Sequence, residues 1–186
     1  MGGCKKDEIE FDSKFILHTK PLSREVLKNI VRELRIEGLE RNATGDRQRR
    51  TRMMSSQQLQ TVLNPLVENG RALHQELIFN VSNSAEWLLL EPALKDSLVQ
   101  LTDQDYALLS VLFSEAEINL GGAIKDCVGV ALGISGIKGI LKGLTTAPTV
   151  SGAIALLKTM GKRYLNWIGV AWMILDFIDC MSHFEV

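Results

Sequence analysis

Apolar residues return every three or four positions along most of this chain, the period of a helix that buries one face. Behind Ser23, a good N-cap residue, Val26, Leu27, Ile30, Val31, Leu34 and Leu39 mark an amphipathic helix over about 24–40. The pattern stops at a basic loop, 41–54, and resumes at Ser55. Asn64-Pro65 reads as an N-cap with proline at the first helical position, which predicts a short helix over 55–63 and a second over 65–79. Leu66, Leu73, Leu77 and Ile78 form the stripe of that second helix, and Gly70 weakens it. Ser82-Asn83-Ser84 is a turn, Ala85 to Leu90 a short helix that packs Trp87, and Pro92 opens a helix to about Leu101. Thr102 with Asp105 makes a capping box, aspartate standing for glutamate, ahead of a helix marked by Tyr106, Leu108, Leu109, Leu112 and Phe113 that runs to Ile118.

The first twenty residues are patterned differently. Ile9 and Phe11 alternate, then Phe15-Ile16-Leu17 run together, which suits one short strand or a packed extended arm. Three regions follow: an arm or tether over 1–20, an amphipathic helical region over 21–118, and a glycine-rich apolar helical region over 119–186. The fold expected is all-α, an irregular multi-helix bundle of seven to nine helices with a glycine-rich apolar C-terminal subdomain.

That last region holds ten of the fifteen glycines. Gly129, Gly133, Gly136, Gly139 and Gly143 are spaced to share one helical face, a packing or insertion face that lets another backbone come close. Helices are predicted over about 122–143, 149–160 and 163–182. The third is apolar nearly all round between Leu165 and Leu175, so something must enclose it. Lys162, Arg163, Tyr164, Trp167 and Trp172 are residue types favoured at a membrane interface. The uninterrupted runs are short, however. Cys127–Ile137 spans 11 residues and Tyr164–Leu175 spans 12, against the roughly 18–20 that crossing a bilayer takes. A buried helical core and an inserting hairpin both remain open on this pattern.

Charge sharpens the division. Residues 119–186 carry only 6 Lys/Arg and 4 Asp/Glu, and the whole chain has a net charge of −1. With that balance, and with five arginines in 41–52 unaccompanied by an aromatic, no nucleic-acid partner is expected.

Cysteines stand at 4, 127 and 180. Cys127 and Cys180 each follow an aspartate and flank the apolar tract; a disulfide between them would contribute about 4 kcal/mol, and two free buried thiols are the alternative. Cys4-Lys5-Lys6-Asp7-Glu8 resembles the mature start of exported bacterial lipoproteins, especially those of Bacteroidetes-like bacteria, with Gly3 suiting the position before the cleavage site. The resemblance implies a lipid on Cys4 and a place in the cell envelope or outside the cell; without it the cytoplasm is the default. Myristate on Gly2 with palmitate on Cys4 is a rival, although Lys6 stands where that pattern wants Ser or Thr. The C-terminal tract loosely resembles membrane-active bacterial peptides in composition.

Chemistry is sparse along the chain. His18, His74 and His183 fall in no recognisable catalytic motif, and the glycines at 129–143 lack the Lys-Ser/Thr of a phosphate loop. Asp176, Asp179, Cys180 and His183 could share one helical face and are ligand types a transition metal accepts; a polar helix edge explains them equally. No catalytic residue and no cofactor is assigned. The reading is an exported, lipid-anchored helical protein that binds a membrane surface or a partner protein without catalysis. The alternatives are a bacteriocin-like or pore-forming toxin that inserts its C-terminal helices, and a hydrolase with an unrecognised site. Oligomeric state is left open.

Overall fold

The computed structural model describes residues 14–36, 54–118, 143, 148–160 and 166–182. Among these the fold is all-α: α1 (Arg24–Ile36), α2 (Ser56–Val81), α3 (Ala85–Leu88), α4 (Pro92–Val99), α5 (Asp103–Ile118), α6 (Val150–Met160) and α7 (Trp167–Ser182). The glycine-rich segment 119–142 lies outside the described residues.

Capping residues set most helix starts. At α2, the Gln58 amide donates to Ser55 Oγ (3.2 Å) and the Ser55 amide to Gln58 Oε1 (2.9 Å), a complete capping box. Thr102 and Asp105 do the same for α5, as the sequence implies: the Thr102 amide donates to Asp105 Oδ2 (3.0 Å) and the Asp105 amide to Thr102 Oγ1 (3.2 Å). Thr149 takes the Gly152 amide at 3.2 Å to start α6, and Asn166 takes the Gly169 amide at 2.7 Å to start α7.

The expected break at Asn64-Pro65 does not occur. One helix of 26 residues runs through Pro65. Thr61 and Pro65 are both exposed, so the carbonyl that proline leaves without a donor has water to turn to, and the cost stays near the usual ~3 kcal/mol. Against it, Leu59, Leu63, Leu66, Leu73 and Leu77 are all buried along one stripe, each worth about 1.5–3 kcal/mol. Continuity of the stripe wins.

α5 is deeply enclosed among the described helices. Ala107 to Ser114 are all buried, with α2 along one side and α7 on another. Among the described helices the α2–α5 contact is the most extensive, and Gly70 explains how close it is. A Cβ built on Gly70 would lie 1.9 Å from the carbonyl oxygen of Tyr106 and 2.6 Å from its carbonyl carbon. Backbone meets backbone there, and only glycine fits. Gly70 therefore does not merely weaken α2; it seats α2 on α5.

α7 is enclosed by protein. Val170, Ala171, Ile174, Leu175 and Phe177 are buried, and the helix packs on α1, α2 and α5. Arg35 of α1 pairs with Asp179 of α7 at the surface. α6 and α7 share one continuous core with α1–α5. No described helix is long and apolar enough to cross a membrane. Residues 14–22 form an extended arm, joined to the start of α6 by an isolated antiparallel bridge between Lys14 and Thr149.

Gly70→Ala is expected to lose about 1–3 kcal/mol of stability in urea denaturation followed by circular dichroism, despite alanine's better helix propensity. Gly152→Ala is the control. Its new Cβ would meet only the Thr149 hydroxyl, at 3.1 Å. Equal stability of Gly70→Ala and wild type would rule out the backbone contact.

Candidate functional site

The residues singled out from the sequence are only partly placed. Cys4, Cys127, Gly129, Gly133, Gly136, Gly139, Lys162, Arg163, Tyr164 and His183 lie outside the described residues, as does the side chain of Cys180. Gly143 is exposed, and no described atom falls within 4 Å of a Cβ placed there. Trp167 is buried and Trp172 is half-buried against the core, so both rings are engaged by the protein's own packing. Asp176 and Asp179 are on α7, and the Asp179 carboxylate takes the Arg35 guanidinium. Among the described residues no three His, Cys, Asp or Glu side chains gather closely enough to hold a metal ion.

What the fold brings together instead lies along the two edges of the α2–α5 seam. On one edge, Asn69 and Glu76 stand two turns apart on α2, opposite Ser110 and Ser114, one turn apart on α5. Both serines are buried. The Ser110 hydroxyl donates to Asn69 Oδ1 at 2.7 Å, and Asn69 Nδ2 donates to the Lys20 carbonyl of the arm at 2.8 Å. Ser114 Oγ accepts the Leu22 amide at 2.8 Å. Glu76 completes the clasp: its carboxylate accepts the Thr19 amide at 2.8 Å, the His18 amide, and a contact from His18 Nδ1 at 3.0 Å. Partial burial pushes the Glu76 carboxyl up, but the bonds from Thr19 and His18 outweigh it and bring it down to about 2.

The other edge is a corner latch. His74 is buried, and its Nε2 meets the Leu98 carbonyl at 2.8 Å. A carbonyl only accepts, so the ring carries its proton on Nε2. Burial lowers the pKa of His74, opposed by that bond. Its ring lies 5.4 Å from that of Tyr106, tilted by 52°, and the Arg71 guanidinium sits 5.5 Å from the Tyr106 centroid on its way to Asp103, 2.7 Å away. Burial also raises the Tyr106 phenol, against the attraction of Arg71. Asp105 is buried at the first turn of α5, and its Oδ1 has no hydrogen-bond partner among the described residues.

Chemically the first edge recognises main chain and the second locks the α4–α5 corner to α2. Sequence reasoning passed over Asn69, Glu76, Ser110 and Ser114. The available signal was the pair of serines four apart inside the apolar run ALLSVLFS. Comparison of the chain with protein-family models, curated proteins and solved structures finds no match.

Both edges make stability depend on pH. Glu76 titrates near 4.5 when unfolded and near 2 when folded, so its contribution is complete above 4.5 and is lost as pH falls towards 2. His74 is held neutral, so stability also declines as pH falls below 6.5, where the unfolded chain takes up a proton first. Glu76→Gln is expected to lose about 1–2 kcal/mol at neutral pH and to flatten the limb below pH 4.5. His74→Leu should flatten the decline below pH 6.5. An unaltered acid limb in Glu76→Gln would show that the clasp carries no free energy.

Proposed function

We propose that this chain is a helical binding protein, exported and held at a cell envelope through a lipid on Cys4, that acts by covering an apolar surface of a partner. The binding part rests on the end of α2 and the short helix after it. Trp87 is buried and pins α3 to the core, while Phe79, Leu88 and Leu89 keep 74, 68 and 86% of their surface exposed. Three such side chains within one short stretch each forgo about 1.5–3 kcal/mol of burial, which a partner lying over them recovers. The envelope part rests on Cys4-Lys5-Lys6-Asp7-Glu8 and its resemblance to lipoprotein starts.

A second reading, a toxin that inserts its C-terminal helices, draws on the three- and four-residue spacing of Gly129, Gly133, Gly136, Gly139 and Gly143 in the sequence and on the low charge of 119–186. Enclosure of α7 by α1, α2 and α5 weighs against it, because insertion would have to strip that helix out of the core.

Labelled palmitate is expected on the native protein expressed in a bacterial host and not on Cys4→Ala; no label on either removes the anchor. A photo-crosslinking residue at position 89 is expected to give an adduct of defined mass in the envelope fraction, and one at exposed Lys28 of α1 none. Identical products from the two positions would remove the apolar surface from consideration. Dye release from vesicles that Gly133→Leu and Gly136→Leu abolish would replace the binding reading with the inserting one.

A further inference from the structure

The arm is held on the α2–α5 seam largely through its main chain. Four of its backbone groups are met by side chains of Glu76, Asn69 and Ser114, and the Phe15 amide donates to the Pro148 carbonyl at 3.0 Å. Of its own side chains, Phe15, Leu17 and Leu22 pack against the core. Ile16 stays 73% exposed and the His18 side chain 84%. The arm thus lies as an extended peptide that shows alternate side chains to the core and to water, residues 18–22 along the seam and residues 14 and 15 against Pro148 and Thr149.

The receiving residues are costly where they stand. Ser110 and Ser114 are buried in a helix whose neighbouring positions are apolar, and Glu76 brings a carboxylate to the same edge. A buried polar group left unpaired costs about 1–3 kcal/mol. Asn69 satisfies Ser110, but Ser114 and Glu76 are satisfied by backbone amides of whatever lies over the seam. Beyond apolar residues at alternate positions, that demand reads the arm only at His18 and Thr19, whose ring nitrogen and hydroxyl also bond Glu76. Any extended segment of that kind presents the same amides and carbonyls, which is how peptide grooves combine main-chain affinity with pocket selectivity.

We propose that the α2–α5 seam is a receptor groove for an extended segment of a partner protein, apolar at alternate positions as at Phe15 and Leu17, and that residues 14–22 occupy it in cis as a displaceable stand-in. The groove is independent of the lipid on Cys4 and of the surface around Leu89. Because the arm is tethered, it acts at an effective concentration in the millimolar range, so a competing segment gains entry when it binds more tightly or when the arm is drawn away.

The probe is a fluorescent nonapeptide with the sequence of residues 14–22, used with full-length protein. Wild type is expected to show no saturable anisotropy change up to about 100 µM peptide, its groove being filled. Phe15→Ser/Leu17→Ser, whose own arm is weakened, is expected to bind the peptide saturably. Adding Glu76→Gln to that variant, or N-methylating the peptide at Thr19, should weaken binding by about tenfold. A folded arm variant that does not bind, or binding indifferent to both changes, overturns the proposal. Should the arm variant not fold, hydrogen exchange of wild type decides. Amides of His18, Thr19 and Leu22 opening well before those of α2 support a displaceable arm; exchange only through global unfolding overturns it.

Discussion

The contact between the backbone of α2 at Gly70 and that of α5 at Tyr106 is the constraint on which the rest of the structure depends. Two helices that meet through main chain rather than side chain come closer than usual, and the residues flanking the contact are drawn into reach of one another. Leu66, Leu73 and Leu77 on α2 and Leu108, Leu109 and Leu112 on α5 are all buried around it. The Ser110–Asn69 bond on one edge and the Tyr106–His74 ring contact on the other both need that spacing. The remaining helices fill in around this pair, with α7 closing over both members and α1 closing over α7.

The two edges use their polar groups differently. His74, Arg71 and Asp103 join pieces of chain that are already neighbours, tying the α4–α5 corner down onto α2. Asn69, Glu76 and Ser114 reach for a segment outside the helical core, and they take its backbone. A corner latch contributes rigidity. A clasp on an extended segment contributes a surface whose occupant is defined by shape and main-chain geometry more than by side-chain identity.

Much of the fold was legible because it depends on local rules. Capping at Ser23 and Thr102, the stop at Ser82–Ser84 and the apolar stripes of α1 and α5 each follow from a few neighbouring residues. Pro65 misled because its local cost is real but is outweighed by a stripe that continues on both sides of it. Gly70 misled for a related reason: its propensity penalty can be read locally, whereas the Tyr106 carbonyl it admits lies 36 residues further along the chain. The clasp was the least legible part. Each of Asn69, Glu76, Ser110 and Ser114 is unremarkable alone, and only the crossing of α2 and α5 gathers them. The exposed apolar residues Leu88 and Leu89 were likewise visible as residues but not as surface, since the burial of Trp87 decides which side of α3 faces the core.

Docking of the arm also orders events in time. Its partners are far away in sequence: 58 and 57 residues for the two bonds from His18 and Thr19 to Glu76, and 92 for Leu22 to Ser114. Pro148, which accepts the Phe15 amide, is more distant still. Contacts of such separation close large loops and form late, after the local helices and the α2–α5 pair. The arm is made before α2 and α5 and docks after they have paired. Through the interval in which α2 and α5 emerge and pair, its Phe15, Ile16 and Leu17 wait in solvent, and the polar edge of the seam waits with them.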